Sequence, residues 1–335
     1  MTYFRPLPRS GTLRPDGALP LAGGDLWFSD VIAEERDRAP ELIPISDLPD
    51  DVHTRLTSAR APIAGVQMTR PVLMGILNVT PDSFSDGGRY LDPTHAVDQA
   101  RAMVADGAGI IDIGGESTRP GAETVAIDEE IDRVRTPIAS VTAQLGTPVS
   151  IDTRKAAVAE AALDAGAAIV NDVSGFTFDA ALAPLCAKHS VPVCVMHAQG
   201  DPQTMQDAPS YDDVRFDVYD FLEARVAYLE TLGLNRAQII VDPGIGFGKT
   251  MTHNLTLLRE ISLFHGLGCP ILLGASRKRF IGTISGADIA DTRMPGSVSV
   301  ALHAASQGVQ VIRVHDVSET RQALAVWRAV EFGET

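Results

Sequence analysis

Short apolar runs alternate with amphipathic segments from Pro71 to the end of the chain. The runs are rich in Val and Ile and nearly free of polar residues, as expected for parallel strands covered on both faces. Between them, apolar positions follow the spacing of one helix face, for example within Asp92–Gly107 and Tyr211–Gly233. The pattern predicts eight strands: Val72–Asn78, Ile110–Gly114, Val149–Asp152, Ala168–Asp172, Val191–His197, Ile239–Asp242, Ile271–Ala275 and Gln310–His315.

Eight strand–helix units in about 265 residues favour one closed (β/α)₈ barrel of the α/β class. An open, doubly wound sheet is the alternative, because periodicity cannot show that a sheet closes. Residues 1–70 are rich in Pro and Gly and too few to bury a core of their own. We therefore predict a barrel over residues 71–335 and an extension over residues 1–70, a hairpin with a short helix, that covers the barrel floor. Asp316 and Glu319 have the spacing of a capping box for the last helix.

Composition excludes several classes of protein. The formal charge of −15 argues against a nucleic-acid partner, because phosphate backbones require clustered Lys and Arg. No stretch approaches the roughly 20 apolar residues of a membrane helix, and we expect a cytoplasmic protein. The three cysteines have no metal-ligand spacing, and we expect them to be free and buried. Any anionic ligand must therefore be held by a local pocket.

Polar residues stand at or just after the end of every predicted strand. In a barrel of this type the chemistry lies where strands end and loops begin. A single Asp at a strand end is usually a helix cap, but eight polar strand ends are costly to bury unless a bound ligand satisfies them. The residues that define this rim are Asn78, Asp112, Asp152, Asn171, His197, Asp242, Lys278, Arg313 and His315.

The rim residues fall into two chemical groups. One offers carboxylate acceptors, an amide and an ammonium donor, which match a fused ring with an amino group, a ring N–H and a carbonyl. The other suits a diphosphate with a divalent cation. The first group is Asp152, Asn171, Asp242 and Lys278, and the second is Asn78, Arg119, Arg313 and His315.

Three loops have distinctive sequences. Thr80–Leu91 and Glu116–Thr124 are long and contain Gly, and we expect them to act as lids rather than as ordinary surface turns. The segment Pro243–Thr250 resembles a nucleotide-binding P-loop. However, Pro243 occupies the position of its first Gly, and the segment follows the sixth strand, so we reject a nucleotide hydrolase.

Several motifs together resemble one family. Met74–Gly88 (MGILNVTPDSFSDGG) closely resembles the first signature of dihydropteroate synthases, and Asp112–Gly121 (DIGGESTRPG) resembles the second. Further segments match in the same order over roughly residues 71–330: Ser150–Thr153, Asn171-Asp172, Asp242–Lys249, Ser276–Lys278 and Arg313–Asp316. The resemblance implies a (β/α)₈ barrel that joins 6-hydroxymethyl-7,8-dihydropterin diphosphate to 4-aminobenzoate in folate biosynthesis.

The resemblance also implies a role for each site residue, with Asp152, Lys278, Arg313 and His315 as the catalytic set. Asn78 would bind Mg²⁺ at the diphosphate. It further implies a homodimer that forms through the later helices, and inhibition by sulfonamides that mimic aminobenzoate. The pterin would be held by Asp152, Asn171, Asp242, Phe247 and Lys278, the diphosphate by Asn78, Arg119, Arg313 and His315, and the aminobenzoate by Phe84, Thr118, Pro120 and Ser276.

Two other functions are compatible with parts of this pattern. A pterin-dependent methyltransferase shares the barrel and the pterin-holding Asp and Asn residues, but it needs neither a diphosphate grip nor an aminobenzoate lid. A catalytically silent paralogue could bind a pterin or a partner, but it would not need two lids. The chain departs from the family in its long extension, and Arg154-Lys155 stands where the family varies freely.

Overall fold

The first part of the fold is a group of small antiparallel sheets. The computed structural model describes residues 1–79, 93–117, 124–200 and 205–334. A three-stranded sheet has β4 between β1 and β5, and β2 pairs with β3. A 3₁₀ helix, Ile45–Asp47, precedes the first α-helix. The elements of this part are β1 (Tyr3–Pro6), β2 (Leu19–Pro20), β3 (Trp27–Phe28), β4 (Asp30–Glu35), β5 (Arg38–Pro44) and α1 (Asp50–Thr57).

Eight parallel strands then form one sheet that closes on itself. Neighbours in the sheet are neighbours in the chain from β6 to β11, and β13 lies between β6 and β12. A parallel bridge between Val241 and Ile271 joins β11 to β12 and completes the barrel. The predicted closed barrel is therefore confirmed. Its strands are β6 (Val72–Asn78), β7 (Ala108–Gly114), β8 (Val149–Asp152), β9 (Ile169–Asp172), β10 (Val193–Met196), β11 (Ile239–Asp242), β12 (Leu272–Leu273) and β13 (Val311–Val314).

Helices follow the strands and form the outer layer. Branched apolar residues of the strands pack against them in one continuous core. Shorter 3₁₀ helices occur at Arg236–Gln238, Ile261–Leu267 and Ala290–Arg293. The α-helices are α2 (Pro93–Ala105), α3 (Ile127–Leu145), α4 (Ala156–Asp164), α5 (Leu182–His189), α6 (Val214–Thr231), α7 (Met251–Arg259), α8 (Arg279–Ser285), α9 (Met294–Ser306) and α10 (Val317–Phe332).

A second apolar cluster fills the barrel interior near the starts of the strands, at the barrel floor. It takes one residue from most of the strands and two residues, Ile63 and Met68, from the segment before β6. Ile63 is fully buried and pairs with Val66 in a short antiparallel bridge. The segment therefore reaches into the end of the barrel at which the strands begin. The strand members of the cluster are Met74, Ile110, Ile169, Cys194, Ile240, Leu272 and Val311.

Local structure confirms one prediction from the sequence and contradicts another. The three cysteines are free and buried, as predicted. The predicted capping box of α10 is wrong, because the Asp316 side chain makes no capping hydrogen bond. Instead both of its carboxylate oxygens accept hydrogen bonds from the guanidinium of Arg277. A charge-assisted, bidentate pair is stronger than a bond to one backbone amide, which explains the choice.

Candidate active site

The rim residues point into the barrel because of the alternation of strand residues. Residues two apart on a strand face the same side, so the residue two after an interior apolar residue is also interior. Asp112 follows Ile110 in this way, and Asn171 follows Ile169. The same step leads from Ile240 to Asp242 and from Val311 to Arg313. The polar layer therefore lies directly above the apolar layer, at the carboxyl ends of the strands.

Arg313 joins three strands through two ion pairs. Its Nε lies 2.6 Å from Oδ2 of Asp112, and its Nη2 lies 2.9 Å from Oδ2 of Asp152. Asn171 donates a hydrogen bond of 3.3 Å to the same Asp112 oxygen. The sequence pattern predicts Asp112 as a rim residue but assigns it no role in the site. Its charge is the signal for such a role, because the rest of its strand is apolar.

Two carboxylate oxygens in this cluster have no partner within the described part of the chain. They are Oδ1 of Asp112 and Oδ1 of Asp152, and both are buried. A buried acceptor without a hydrogen bond costs about 1–3 kcal/mol, so native proteins usually satisfy it. The two oxygens can thus accept N–H groups from a ligand.

Burial shifts the charges of the site. It raises the pKa of Asp152 to about 7, and Asp112 adds to the shift while Arg313 opposes it. Burial also raises the pKa of Asp242, against the attraction of Lys278. Burial lowers the pKa of Lys278 to about 8, against the attraction of Asp242. Two of these groups therefore change charge close to neutral pH.

Asp242 belongs to the same hollow as Arg313. A Cβ placed on Gly274 would lie 3.8 Å from both Oδ2 of Asp242 and Cδ of Arg313, so Gly274 lines the gap between these side chains. The other oxygen of Asp242 accepts a hydrogen bond of 2.7 Å from the amide of Gly244. Gly274 therefore keeps open a space that a larger residue would fill.

Lys278 reaches across to the loop that follows β11. Its Nζ donates a hydrogen bond to the carbonyl of Ile245 and lies 4.6 Å from the centre of the Phe247 ring. Gly246 passes under the lysine stem, because a Cβ there would lie 3.2 Å from Cδ of Lys278. The Lys278 ammonium therefore lies over the aromatic ring of Phe247.

Of the remaining residues predicted for the site, three lie within the part of the chain that the structure describes and four lie outside it. Ser276 and His315 are neighbours, since Oγ of Ser276 accepts a hydrogen bond from the His315 amide and lies 3.0 Å from its Nδ1. Asn78 ends β6, opposite Gly114 of β7, and is partly exposed. The other residues predicted for the site lie outside the described residues: Phe84, Thr118, Arg119 and Pro120.

Two further polar residues at strand ends, Asp172 after Asn171 and the rim residue His197, have structural partners. The Asp172 carboxylate accepts hydrogen bonds from Ser174 and from the amide of Phe176, which closes a turn after β9. The ring of His197 contacts Lys249. Asp172 therefore has a local structural role, although it closes a turn and does not cap a helix.

Arg154 and Lys155 belong to a buried ion network beside the site. The Lys155 ammonium lies 2.6 Å from Oε2 of Glu116 and 2.6 Å from Oε2 of Glu130. Arg154 lies 3.0 Å from the other oxygen of Glu116. Glu130 also accepts a hydrogen bond of 2.8 Å from Thr153. Residues that the sequence analysis placed at a freely varying position therefore have fixed, buried partners here.

The closed (β/α)₈ barrel, the polar side chains at its strand ends and the family match below together make the chain an enzyme of the pterin-binding barrel type. The sequence pattern of the pterin binding enzyme family matches residues 74–315. The chain is 46% identical over 263 residues to the dihydropteroate synthase of Synechocystis sp., which covers 77% of this chain and 91% of the relative. The chain belongs to the dihydropteroate synthase family, and it is a transferase.

Solved structures agree with this assignment. A Xanthomonas albilineans dihydropteroate synthase with 4-aminobenzoic acid is 43% identical, with a TM-score of 0.75 over 80% of this chain and 96% of that one. A Yersinia pestis dihydropteroate synthase in complex with a sulfonamide drug is 42% identical, with a TM-score of 0.76 over 79% and 96%. Within the described residues, no helix is long and apolar enough to cross a membrane.

Proposed function

We propose that the chain joins 6-hydroxymethyl-7,8-dihydropterin diphosphate to 4-aminobenzoate and releases 7,8-dihydropteroate and diphosphate. The main support is one hollow that combines two buried, unpartnered carboxylate oxygens with the Arg313 guanidinium and the Lys278 ammonium. A relative solved with 4-aminobenzoic acid supports the second substrate. The reaction places the protein in folate biosynthesis.

The pterin would occupy the hollow between the carboxylates and Lys278. The free Oδ1 of Asp152 and the Asp242 carboxylate can accept the amino and ring N–H groups of the pterin. Asn171 can both donate and accept, and Lys278 can donate to the carbonyl or a ring nitrogen. Phe247 is partly exposed and carries the Lys278 ammonium over its ring, so the two side chains together support packing of a flat ring against them.

The diphosphate would bind on the other side of Arg313. Its Nη1 takes no part in either ion pair, and Arg is suited to phosphate oxygens. His315 and Asn78 stand at the ends of the adjacent strands β13 and β6. Arg119, which the family resemblance adds to this set, lies outside the described residues.

The donor set fits Mg²⁺ that is bound mainly by the diphosphate. Among the residues that the structure describes, no group of three or more His, Cys, Asp or Glu side chains could hold a metal. Mg²⁺ commonly takes one or two protein oxygens and fills its shell with phosphate oxygens and water. The side-chain oxygen of Asn78 would supply such a ligand. When bound there, Mg²⁺ would neutralise charge on the diphosphate.

The reaction would begin with cleavage of the bond between the pterin methylene carbon and the diphosphate oxygen. The electron pair leaves with the diphosphate, whose charge Arg313 and His315 stabilise. The positive charge left on the methylene spreads into the electron-rich dihydropterin, where the carboxylates of Asp152 and Asp242 offset it. The neutral aromatic amine then attacks the methylene carbon and loses a proton, and an aromatic amine needs no obligatory general base for this step.

The aminobenzoate would lie near Ser276 and His315, above the diphosphate region. Phe84, Thr118 and Pro120 complete this pocket by family resemblance and lie outside the described residues. A sulfonamide should therefore compete with aminobenzoate and not with the pterin substrate. Initial rates at varied concentrations of each substrate test this, and turnover unaffected by saturating sulfonamide would refute the pocket.

The reaction itself is tested by measuring diphosphate and dihydropteroate together. We expect both products to form in equal amounts and to require both substrates. Lys278→Ala should raise KM for the pterin about ten- to hundredfold, the loss of one or two charged hydrogen bonds, with an unchanged circular dichroism spectrum. Lys188→Ala, on the exposed surface of α5, is the matched control. Unchanged turnover in Lys278→Ala would contradict the role given to Lys278.

We also propose that residues 1–70 are an extension whose task is to cover the barrel floor. The support is the burial of Ile63 and Met68 among residues of seven barrel strands. The polar hollow lies at the opposite ends of these strands. The extension would therefore affect stability more than catalysis.

We propose further that two copies of the chain associate through the later helices. On α10, Val326 is 60% exposed and Val330 is 76% exposed, and the two residues are four apart on one helix face. Ile284 of α8 and Ile289 are also exposed. The pair of exposed valines on one face of α10 supports a protein interface there.

A further inference from the structure

Lys249 is a buried lysine that the proposed reaction does not use. It is the lysine of the P-loop-like segment, but only 3% of it is exposed, so it cannot reach a phosphate. Its Nζ lies 2.9 Å from Nδ1 of His197, and it donates to the carbonyls of His197 (3.3 Å) and Phe247 (3.0 Å). These three partners use the full bonding capacity of an ammonium group.

The arrangement does not depend on where one proton lies. If Lys249 is charged, it donates all three hydrogens, and Nδ1 of His197 accepts one of them. If Lys249 is neutral, the Nδ1–H tautomer of neutral His197 donates to the lysine amine, which still donates to both carbonyls. Burial lowers the pKa of Lys249 well below its usual value and also lowers the pKa of His197. The hydrogen bond to the Phe247 carbonyl is therefore kept in either state.

Through Phe247, Lys249 holds the wall of the pterin site. The Phe247 ring lies against Lys278, and Lys278 donates to the carbonyl of Ile245 in the same loop. The loop also lies close to the end of β10, since a Cβ on Gly244 would stand 1.9 Å from the carbonyl oxygen of His197. Lys249 thus binds this loop from the protein interior, while Lys278 binds it from the hollow.

We propose that Lys249 is a positioning residue for the pterin: by tying the Phe247 carbonyl to His197, it sets the ring of Phe247 and the direction of the Lys278 ammonium. This inference rests on the proposed function, because it assigns Phe247 and Lys278 to the pterin. Other hydrogen bonds hold the neighbouring residues of the loop, such as those from Gly246 to Asn254 and from Tyr211 to Gly248. Within the described residues, Lys249 is the only side chain that donates a hydrogen bond to the Phe247 carbonyl.

The test compares Lys249→Met with wild type in binding and steady-state kinetics. Met keeps most of the apolar stem and removes the donors. We expect Kd and KM for the pterin to rise about tenfold or more, while KM for 4-aminobenzoate stays within about twofold at saturating pterin. Lys188→Met makes the same change on an exposed helix position and should match wild type.

A double-mutant cycle with Phe247→Leu separates positioning from a general loss of stability. If Lys249 acts through the Phe247 ring, the double variant should bind pterin no more than about twofold more weakly than Phe247→Leu alone. If Lys249→Met does not fold, Lys249→Gln, which keeps a shorter donor, takes its place and should show a smaller loss in the same direction.

Two results would overturn the inference: pterin binding within twofold of wild type in a folded Lys249 variant, or fully additive losses in the cycle. Formation of dihydropteroate by the wild-type protein tests the proposed function separately. If wild type made no dihydropteroate, the proposed function would fail. If wild type were active and the Lys249 variants bound pterin normally, only the positioning role would fail.

Discussion

Asp152 and Lys278 have pKa values shifted toward neutrality from opposite directions. Burial disfavours the charged form of each group, so it raises the pKa of the carboxyl and lowers that of the ammonium. The proposed pterin contacts require the ionised form of both. Asp152 must be deprotonated so that its free Oδ1 can accept a pterin N–H group while Oδ2 remains paired with Arg313, and Lys278 must be protonated to donate fully.

The first prediction is a narrow bell-shaped pH profile of kcat/KM for the pterin. Asp152 gains a proton as pH falls through about 7, and Lys278 loses one as pH rises through about 8. Activity should therefore be highest between these values and fall on both sides. Lys278→Met should lower the rate and remove the alkaline limb. A flat profile from pH 6 to about 9 would contradict these assignments.

At the scale of single residues, the sequence predicts which side chains face the hollow but not which of them form ion pairs with one another. Strand alternation and the strand ends are sufficient to select Asp152, Asn171, Asp242 and Arg313. The sharing of Arg313 between Asp112 and Asp152 depends on side chains from three strands meeting in space. The same is true of Asp316, which pairs with Arg277 instead of capping its own helix.

At the scale of elements, the network around Lys155 connects the end of β7 with α3 and α4. Glu116 and Glu130 are 7% and 1% exposed, so each carboxylate needs a buried cation nearby. Although burial opposes the ionised form, hydrogen bonds from Lys155 and the Val125 amide hold the pKa of Glu116 below its usual value. The network thus fixes the described residues on either side of the segment 118–123.

The second prediction concerns the stability of this network. Lys155→Met should lower the free energy of unfolding by about 3–5 kcal/mol, because it leaves buried carboxylates without their cation. Urea unfolding at neutral pH measures the change. Lys188→Met, which is exposed, should change it by less than about 0.5 kcal/mol. A loss below about 1 kcal/mol in Lys155→Met would show that the ion pairs contribute little net stability.

Strands whose apolar runs end sharply are the ones whose bounds the sequence predicts best. β6, β8 and β11 have the predicted bounds, because their apolar runs are broken sharply by polar or turn residues. The pattern predicts β12 over the five residues Ile271–Ala275, but the strand spans only Leu272–Leu273, and Ile271 forms a single bridge to Val241. Hydropathy alone does not show where pairing stops inside an apolar run.

At the scale of the whole molecule, the two ends of the barrel have different tasks. The floor holds Ile63 and Met68 in an apolar cluster, and the opposite end holds the polar hollow. In barrels of this type, residues at the floor contribute stability and residues at the strand ends contribute chemistry.

The third prediction tests this division. Met68→Ala should lower the free energy of unfolding by about 2–5 kcal/mol through the cavity it leaves, with KM for both substrates unchanged. Thermal or urea unfolding and steady-state kinetics measure the two effects. Leu13→Ala, at a residue that is 89% exposed, is the control and should have little effect on stability. A raised KM without loss of stability would contradict the division.

The fourth prediction concerns assembly. Light scattering after gel filtration should give twice the mass of one chain for wild type. Val330→Asp should shift the protein toward the single-chain mass, because it places a charge on the exposed apolar face of α10. A monomeric wild type, or an unaffected dimer in Val330→Asp, would exclude this face as the interface.

Closure of the sheet is the feature of the whole fold that the sequence could not show. It depends on one parallel bridge between strands that hydropathy cannot distinguish from edge strands, at Val241 and Ile271. The number and order of the strands, in contrast, follow directly from the apolar runs.

The most direct test of the account is a crystal structure of the protein with the dihydropterin diphosphate bound. We predict that the ring lies between Asp152, Asn171 and Asp242, with its diphosphate at Arg313 and His315. A pterin bound in a different hollow, or turned so that the diphosphate faces Asp242, would contradict the account.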